Sequence, residues 1–411
     1  MRRPAKTLLA GTLAATLQCG AATSQEAPDF VLNDQVQVGD VLSNQSLDVV
    51  EVLESTTAVT TATGNAYAFG TDGANADVRS NQTLQGDVSA DTRLDVGLYG
   101  GPSTSLTTAA TGNTGDASVS GAASMTGVFT QNTGPVTIYG HSHIEAPDAE
   151  MGDVNATVQA IGNSQGFAPS YASTGVRVNQ TNTAEVSSDG GGVIGHTTGT
   201  SVFAATTTAN NVTSTGSMSA AERMIVNQRN ASGVTQAAQF TAFGNSYLAT
   251  TAATASGNNV SAVNDGPLLD LTNSQTNEAY TRAQAENSSY LFSNTHVSAY
   301  ALGNSVLAGD LNGELVLDNT QVNDGGGVES VAAFTGSQGY DATVSSTAMG
   351  NAATGYACGQ CSGMDVESRQ TNNVDVGASS TVTVNGYARS VNGVATAVGN
   401  TATYYMTRPG S

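Results

Sequence analysis

A repeat of about 48 residues runs through most of this chain and constrains its fold more than any other feature. The motif Ala-x-Gly-Asn recurs at spacings of 46 to 50 residues. Its asparagines are Asn65, Asn113, Asn163, Asn258, Asn304, Asn351 and Asn400, and a degraded copy, Thr-Ala-Asn-Asn, ends at Asn211. So narrow a spacing over eight copies indicates a repeated structural unit.

A glutamine marker runs in step with the asparagines. The markers, often beside Asn and Thr, are Gln45, Gln82, Gln131, Gln180, Gln228, Gln275, Gln321 and Gln370. Gln45 precedes the first Gly-Asn by 20 residues, and each of the others follows a copy of the motif by 17 to 19 residues. An extra Ala-Phe-Gly-Asn ends at Asn245, 17 residues after Gln228. This extra copy predicts that each unit divides into strand–turn pieces of about 16 residues, and hence into two to three coils.

The local pattern is that of strands. Small apolar and polar residues alternate, as in the stretch from Thr381 to Arg389, and this period of two indicates β-strands. Strand repeats that cannot bury a face alone must stack on their neighbours. The sequence therefore predicts an all-β, repetitive β-solenoid or β-helix of about seven units, and a rod on the order of 70–100 Å long.

Small residues and amides suggest how such a solenoid would be filled. A narrow interior has room for Ala, Val, Ser and Thr, and each corner needs a residue that tolerates positive φ, which Gly-Asn supplies. Amide side chains at the same position in successive repeats can form hydrogen bonds to one another along the axis. We therefore expect structural ladders of Asn65, Asn113, Asn163, Asn258, Asn304, Asn351 and Asn400 and of Gln82, Gln131, Gln180, Gln228, Gln275, Gln321 and Gln370. Polar surface residues in loops are the alternative.

The N-terminus has the features of a secretory signal. Residues 1–22 contain Arg2, Arg3 and Lys6, a short apolar run and then small residues. Cys19 raises a lipoprotein as the alternative, although the residues before it are a poor lipid-attachment signal. Residues 23–60 are expected to form a capping or attachment segment, and residues 61–411 the repetitive solenoid.

The charge of the chain restricts its partners. The net charge is −21, and loss of the signal would leave nine arginines, no lysine and 33 acidic residues. Nucleic acid and anionic lipid surfaces are disfavoured, because both require clusters of Lys and Arg. Spread over a long surface, the charge would keep a β-rich chain soluble.

Two cysteines remain after the predicted signal. Cys358 and Cys361 lie in a Gly-rich Cys-x-x-Cys turn, which in an exported chain most simply forms a local disulfide. A thioredoxin-type site would need a βαβ context, and a zinc site would need two further ligands.

Candidate chemistry is sparse. His141, His143 and Glu145 would share one strand face with metal-like spacing, but the pattern does not recur, and a solvated face is the favoured interpretation. Asp189 and Asp324 precede Gly-Gly-Gly, but they do not repeat in phase as calcium loops do. No nucleophile elbow, HExxH motif or phosphate loop is present. We therefore expect no catalytic residue, no cofactor and no metal, with weak Ca²⁺ binding and a polysaccharide-active enzyme left as alternatives.

The paired Gln and Gly-Asn markers resemble curlin repeats, although the unit here is about twice as long. The chain as a whole is more similar to the holdfast anchoring protein D family of stalked, surface-attaching bacteria, over the signal and the repeats from Gln45 to Asn400. This resemblance implies a chain exported through a curli-type outer-membrane secretion pore to the outer cell surface, in association with the outer membrane. Its partners would be a small curlin-like anchor subunit and an adhesive polysaccharide, the holdfast. The alternative is a curli-like amyloid fibre subunit that associates with copies of itself at uncapped ends.

Overall fold

The computed structural model describes residues 28–231, 233–359 and 363–407, and its regular elements there are strands. The strands are β1 (Asp29–Gln37), β2 (Val41–Glu51), β3 (Ser55–Asp72), β4 (Ala76–Leu84), β5 (Val88–Tyr99), β6 (Ser103–Ser120), β7 (Ser124–Thr133), β8 (Thr137–Met151), β9 (Asp153–Ser170), β10 (Ser173–Asn182), β11 (Glu185–Gly216), β12 (Ala221–Asn230), β13 (Val234–Asn264), β14 (Leu268–Asn277), β15 (Tyr280–Asp310), β16 (Glu314–Asn323), β17 (Val328–Cys358), β18 (Gly363–Asn372), β19 (Val376–Tyr387) and β20 (Ser390–Thr407). Within these ranges no helix is long and apolar enough to cross a membrane.

The strands form two parallel sheets that the chain enters in turn. The first sheet has eight strands in the order β1-β4-β7-β10-β12-β14-β16-β18, and the second has twelve. In four coils the chain crosses the second sheet as one strand of 31 or 32 residues (β11, β13, β15 and β17), and in the others as two shorter strands. Parallel strands stacked coil upon coil confirm the predicted all-β solenoid.

One repeat makes one coil. Neighbouring strands pair residues that are 46 to 51 positions apart, as between Asn304 and Asn351 or between Asn113 and Asn163. The prediction of two to three coils per unit is therefore wrong, because the pieces of about 16 residues are sides of a coil. Eight stacked strands at ~4.8 Å spacing extend for about 34 Å, not 70–100 Å.

Each coil has three sides, such as β1, β2 and β3 in the first coil and β4, β5 and β6 in the second. The last side of each coil lies opposite the first two. The Thr108 hydroxyl of β6 donates to Oγ1 of Thr92 in β5 at 2.6 Å, and the Gln82 amide of β4 donates to the Thr114 carbonyl of β6 at 2.9 Å. The apolar core lies between these layers in four clusters that are rich in Ala and Val.

The Gly-Asn dipeptide lies in the middle of this last side rather than at a corner. Gly112 and Asn113 are both buried, so the alternation of inward and outward side chains shifts by one residue there. The expectation of a positive-φ corner is wrong, since positive φ occurs instead at turn glycines such as Gly73 and Gly121. Glycine is required for space: a Cβ on Gly112 would lie 2.5 Å from the Gly162 carbonyl oxygen of the next coil.

The interior also accepts large side chains, contrary to the expectation that only small ones fit. Phe129, Phe203 and Phe334 are fully buried. Each lies against a glycine, and a Cβ on Gly127 or Gly192 would come within 2.7 Å of a phenylalanine ring. A missing side chain thus provides the volume that an aromatic ring fills.

The two ends of the solenoid are sheet edges that no described element covers. At the N-terminal end, the side chains of Phe30, Leu32 and Val36 are more than half exposed. Strand β1 pairs with β4 over its whole length, so the first coil begins at Asp29. Strands β1 and β2 of this coil lie within residues 23–60, whereas β3 runs on to Asp72. The capping or attachment role of residues 23–60 stays a prediction.

Candidate functional site

The glutamine markers form a continuous chain of amide hydrogen bonds inside the solenoid. Each Nε2 donates to Oε1 of the glutamine one coil nearer the N-terminus, at distances from 2.7 to 2.9 Å. The second N–H of each amide donates to a backbone carbonyl of the opposite layer, such as that of Ser305. The members are Gln35, Gln82, Gln131, Gln180, Gln228, Gln275, Gln321 and Gln370.

The asparagines form a second ladder whose donors point the other way. Each Nδ2 donates to Oδ1 of the asparagine one coil nearer the C-terminus, at 2.7 to 2.9 Å. The second N–H again bonds to a carbonyl across the core, as Asn304 does to Val322 at 2.8 Å. The members are Asn65, Asn113, Asn163, Asn210, Asn258, Asn304, Asn351 and Asn400.

The register corrects two of the markers read from the sequence. Gln35, not Gln45, is the partner of Gln82, and Gln45 instead pairs with Thr92 in the second sheet. Asn210, not Asn211, stands between Asn163 and Asn258. In both cases a second amide lay near the expected position, and motif spacing does not show which of two amides faces inward.

A third ladder was not identified from the sequence. Asn182, Asn230, Asn277, Asn323 and Asn372 each lie two residues after a glutamine marker and bond Nδ2 to Oδ1 in series at 2.8 to 2.9 Å. The recurrent Gln-x-Asn spacing was the available signal. Leu84 and Thr133 occupy the equivalent places in two earlier coils, so the ladder extends over only part of the solenoid.

The ladders determine how one coil sits on the next. A buried amide that loses its partners costs about 1–3 kcal/mol, whereas each satisfied bond contributes only about 1 kcal/mol. A slip of one residue would leave every ladder amide unpaired and would turn inward residues outward. The ladders therefore select one register for the whole stack.

The two neighbouring histidines lie on the outer surface of β8. His141 contacts Asp91 of the preceding coil at 2.7 Å, and His143 contacts Glu145 at 3.1 Å. Both rings are partly exposed, and their planes are nearly parallel, with centroids 6.3 Å apart. Across the part of the chain that the structure describes, no group of three or more His, Cys, Asp or Glu side chains is arranged to hold a metal ion.

The two Asp-Gly-Gly-Gly stretches occupy different places in the coil. Asp189 lies within β11 and pairs with His141, beside a shallow groove of about 480 Å³ that the side-chain-free Gly191 helps to open. Asp324 lies in the turn after β16, where its backbone N–H donates to the Asn277 carbonyl. The two stretches are thus unrelated in structure.

A second groove, of about 530 Å³, crosses the outer surface where the two halves of the second sheet meet. Its lining includes Asn245, Gln338 and three tyrosines, Tyr247, Tyr340 and Tyr387. The extra Ala-Phe-Gly-Asn motif thus supplies a groove residue, Asn245, and does not begin another coil. Sequence periodicity did not single out these tyrosines, because they do not recur in every coil.

Among the described residues, two carboxyl groups are buried in the solenoid, those of Glu222 and Asp310. Glu222 of β12 is buried, and this burial raises its pKa to about 7, despite a hydrogen bond from the Ser214 hydroxyl that acts in the opposite direction. Oε1 of Glu222 and Oδ1 of Asn264 have no hydrogen-bond partner among the described residues. Both oxygens lie close to the position that a Cβ on Gly216 would occupy, so two acceptors lie near each other when the carboxyl group is ionised.

The predicted disulfide cannot be placed in this geometry. Cys358 ends β17, and Cys361 lies outside the described residues. Their pairing stays a prediction.

Comparison with known families matches most of the chain to a family model. The family described as holdfast attachment protein D matches residues 50–327, about two thirds of the 411 residues. No curated protein and no solved structure matches the chain.

Proposed function

Because this chain belongs to the family of holdfast attachment protein D, we propose that it fastens an adhesive polysaccharide, the holdfast, to the outer surface of the cell. The family is one of attachment proteins rather than enzymes, and attachment implies a location at the cell surface. The solenoid is the part of the chain that performs this task.

The observation that carries the proposal is where the family match falls. Residues 50–327 run from the end of β2 to the residue before β17, so they comprise most of the laddered coils. The family character therefore belongs to the repeat itself and not to an appended domain.

The structure of the coils suits an anchor that bears load. Backbone pairing and amide ladders both connect each coil to the next along the axis, as at Asn258, Asn304 and Asn351. Separating two coils would require many buried hydrogen bonds to break together, each with a desolvation cost. A long, in-register stack thus resists being opened from within.

Export and partners complete the proposal. The chain leaves the cell through a curli-type outer-membrane pore, and a small curlin-like subunit joins it at the cell surface. An open sheet edge is a template for another strand. The end coils, with β1 at one end and β20 at the other, are the places where such a subunit would add.

The same open ends support a second candidate, a curli-like fibre subunit. The side chains of Tyr405 and Val391 in β20 are more than half exposed, as are those of Phe30 and Leu32 in β1. Identical chains could add end to end and continue the ladders. Seeded growth of fibres, followed by thioflavin fluorescence with purified chain, would favour this candidate over the anchor.

Deletion of the gene tests the anchor directly. Cells without the chain should still make adhesive polysaccharide but release it into the medium, and the released fraction should fall again on complementation. Adhesive that stays on the mutant cells would contradict the proposal. A reducing-sugar assay on acidic polysaccharides tests the remaining enzyme alternative.

A further inference from the structure

The tyrosine-lined groove is formed by residues that stand in register along the axis. His196, Asn245, Leu291, Gln338 and Tyr387 pair in sequence from β11 to β19, so they form one column across five coils. At ~4.8 Å per coil, this column is about 19 Å long. The groove therefore has the extended form that a chain molecule would require, rather than the form of a closed pocket.

The tyrosine rings in this groove are exposed and, in one case, held in place. The side chains of Tyr247 and Tyr387 are each 59% exposed, and that of Tyr340 is 51% exposed. The Arg389 guanidinium carbon lies 5.5 Å from the centre of the Tyr340 ring, and Arg389 is itself bound to Asp341. Tyrosine offers a large, rigid, amphipathic surface at a low entropic cost, which suits recognition.

The remaining lining combines polar side chains with the apolar side chains of Leu291 and Phe292, and His196 is its one ionisable residue besides the tyrosines. It contains the amides of Asn245 and Gln338 and several hydroxyl groups, and it contains no Asp, Glu, Lys or Arg side chain. The first groove, by contrast, includes Asp189 and Glu286. In a chain with a net charge of −21, an uncharged stretch favours a neutral ligand rich in hydroxyl groups, because amides both donate to and accept from hydroxyls.

We infer that this groove binds an uncharged segment of the polysaccharide, with sugar rings stacked on Tyr247 and Tyr340 and hydroxyl groups bonded to the amides of Asn245 and Gln338. The inference rests on the proposed function and adds the place of contact. Tyr247 and Tyr340 occupy equivalent positions two coils apart, so their backbones are about 9.6 Å apart along the axis. Ser293 occupies the equivalent position in the coil between them. Its small side chain leaves space for a sugar ring that is held by hydrogen bonds to its hydroxyl groups and does not stack on a tyrosine.

The test compares chain variants for binding to the polysaccharide that anchor-deficient cells release into the medium. This material, immobilised, is the probe. The double variant Tyr247→Ala with Tyr340→Ala should bind at least tenfold more weakly than the unaltered chain. Tyr340→Phe keeps the ring and should bind as the unaltered chain does.

A matched control is available at Tyr171. Its side chain is also 59% exposed, but it lies in the turn before β10, outside the groove. Ala122 occupies the equivalent place in the preceding coil, so Tyr171→Ala introduces a residue that this turn already accepts. The control should bind normally, and equal melting temperatures would show that all variants are folded.

The outcomes distinguish the inference about the groove from the proposed function of the chain as a polysaccharide anchor. If the unaltered chain binds and the double variant binds equally well, the groove is not the contact, although the chain remains an anchor. If the unaltered chain does not bind the released polysaccharide at all, both the inference and the proposed contact with polysaccharide are overturned. Loss of binding in Tyr171→Ala as well would also contradict a site confined to the groove.

Discussion

At the scale of single residues, the solenoid depends on ladder amides such as that of Asn304, whose two N–H groups and carbonyl oxygen are all hydrogen-bonded. Asn304 accepts from Asn258 at 2.7 Å and donates to Asn351 and to the Val322 carbonyl, each at 2.8 Å. Both of its N–H groups thus face oxygen atoms. This arrangement suits an amide and excludes a carboxylate of the same shape.

The change Asn304→Asp tests this requirement. A carboxylate would face two acceptors in a buried place, and we expect the free energy of unfolding at pH 7 to fall by about 3–5 kcal/mol, as when a buried charge loses its partner. Asn400→Asp is the matched control: Asn400 is exposed and accepts from Asn351, which a carboxylate also does. Chemical denaturation of both variants measures the difference, and equal losses would show that burial of the ladder contributes little.

Glu222 provides a prediction about pH. Its folded pKa of about 7 lies above the usual value of an unfolded glutamate, near 4.5. Between these values the folded state holds a proton that the unfolded state has lost, so the contribution of Glu222 to stability is most favourable below about pH 4.5 and falls as the pH rises through 7. The expected total loss is about 3 kcal/mol.

The change Glu222→Gln removes this dependence, and the variant should be more stable than the unaltered chain at pH 8 but not at pH 5. Urea denaturation at the two pH values measures the effect. Glu314→Gln, at an exposed position, should leave the pH dependence as it is. A variant with Glu222→Gln that still loses the same stability between pH 5 and pH 8 would show that other groups cause it.

At the scale of elements, the Gly-Asn dipeptide determines which side chains of the last strand of each coil face the interior. A Cβ on Gly303 would lie 2.5 Å from the Gly350 carbonyl oxygen, which is fixed by the sheet. In the last coil, a Cβ on Gly399 would meet only Nδ2 of Asn372, at 3.8 Å. The fourth coil already has Ala209 at the position of this glycine, so the sheet can accommodate a Cβ there at some cost in stability.

Gly303→Ala should therefore lower the free energy of unfolding by about 1–3 kcal/mol, the usual cost of overpacking. Gly399→Ala should be neutral or slightly stabilising, because alanine restricts the unfolded chain. Thermal denaturation of the two variants side by side measures the contrast. A Gly399→Ala variant as damaged as Gly303→Ala would indicate that the glycines serve a backbone conformation and not close packing.

The strands and the period of the coil were predictable from the sequence, whereas the path of the coil was not. Alternation of small and polar residues around Val382 and Val384 indicates strands, and the spacing of Asn65, Asn113 and Asn163 states the period. The number of coils per period depends on which residues pair across sheets, and the extra motif at Asn245 suggested a shorter coil. The buried Phe129 depends on the cavity beside Gly127, a three-dimensional fact that composition does not carry.

At the scale of the whole molecule, stability should be close to a sum over coils and the interfaces between them. Each coil pairs only with its two neighbours, and equivalent residues stand at the same place in each coil, as Asn113 and Asn163 do. A solenoid of this kind can lose one whole coil and still form continuous amide ladders, because equivalent residues then meet across the new junction. It cannot lose part of a coil, because unlike strands would then be brought into register.

Removal of one coil is the most direct test of this account. Deleting residues 114–163 joins Asn113 to Ser164, which already pairs with Thr114, and leaves the tyrosine groove unchanged. Deleting residues 114–138 removes half as much but joins Asn113 to Tyr139, a residue from another side of the coil. We predict that the first variant unfolds cooperatively with a modest loss of stability and still binds the polysaccharide, whereas the second fails to fold or is degraded. Equal damage from the two deletions, measured by circular dichroism and denaturation, would contradict the claim that each repeat is one structural coil.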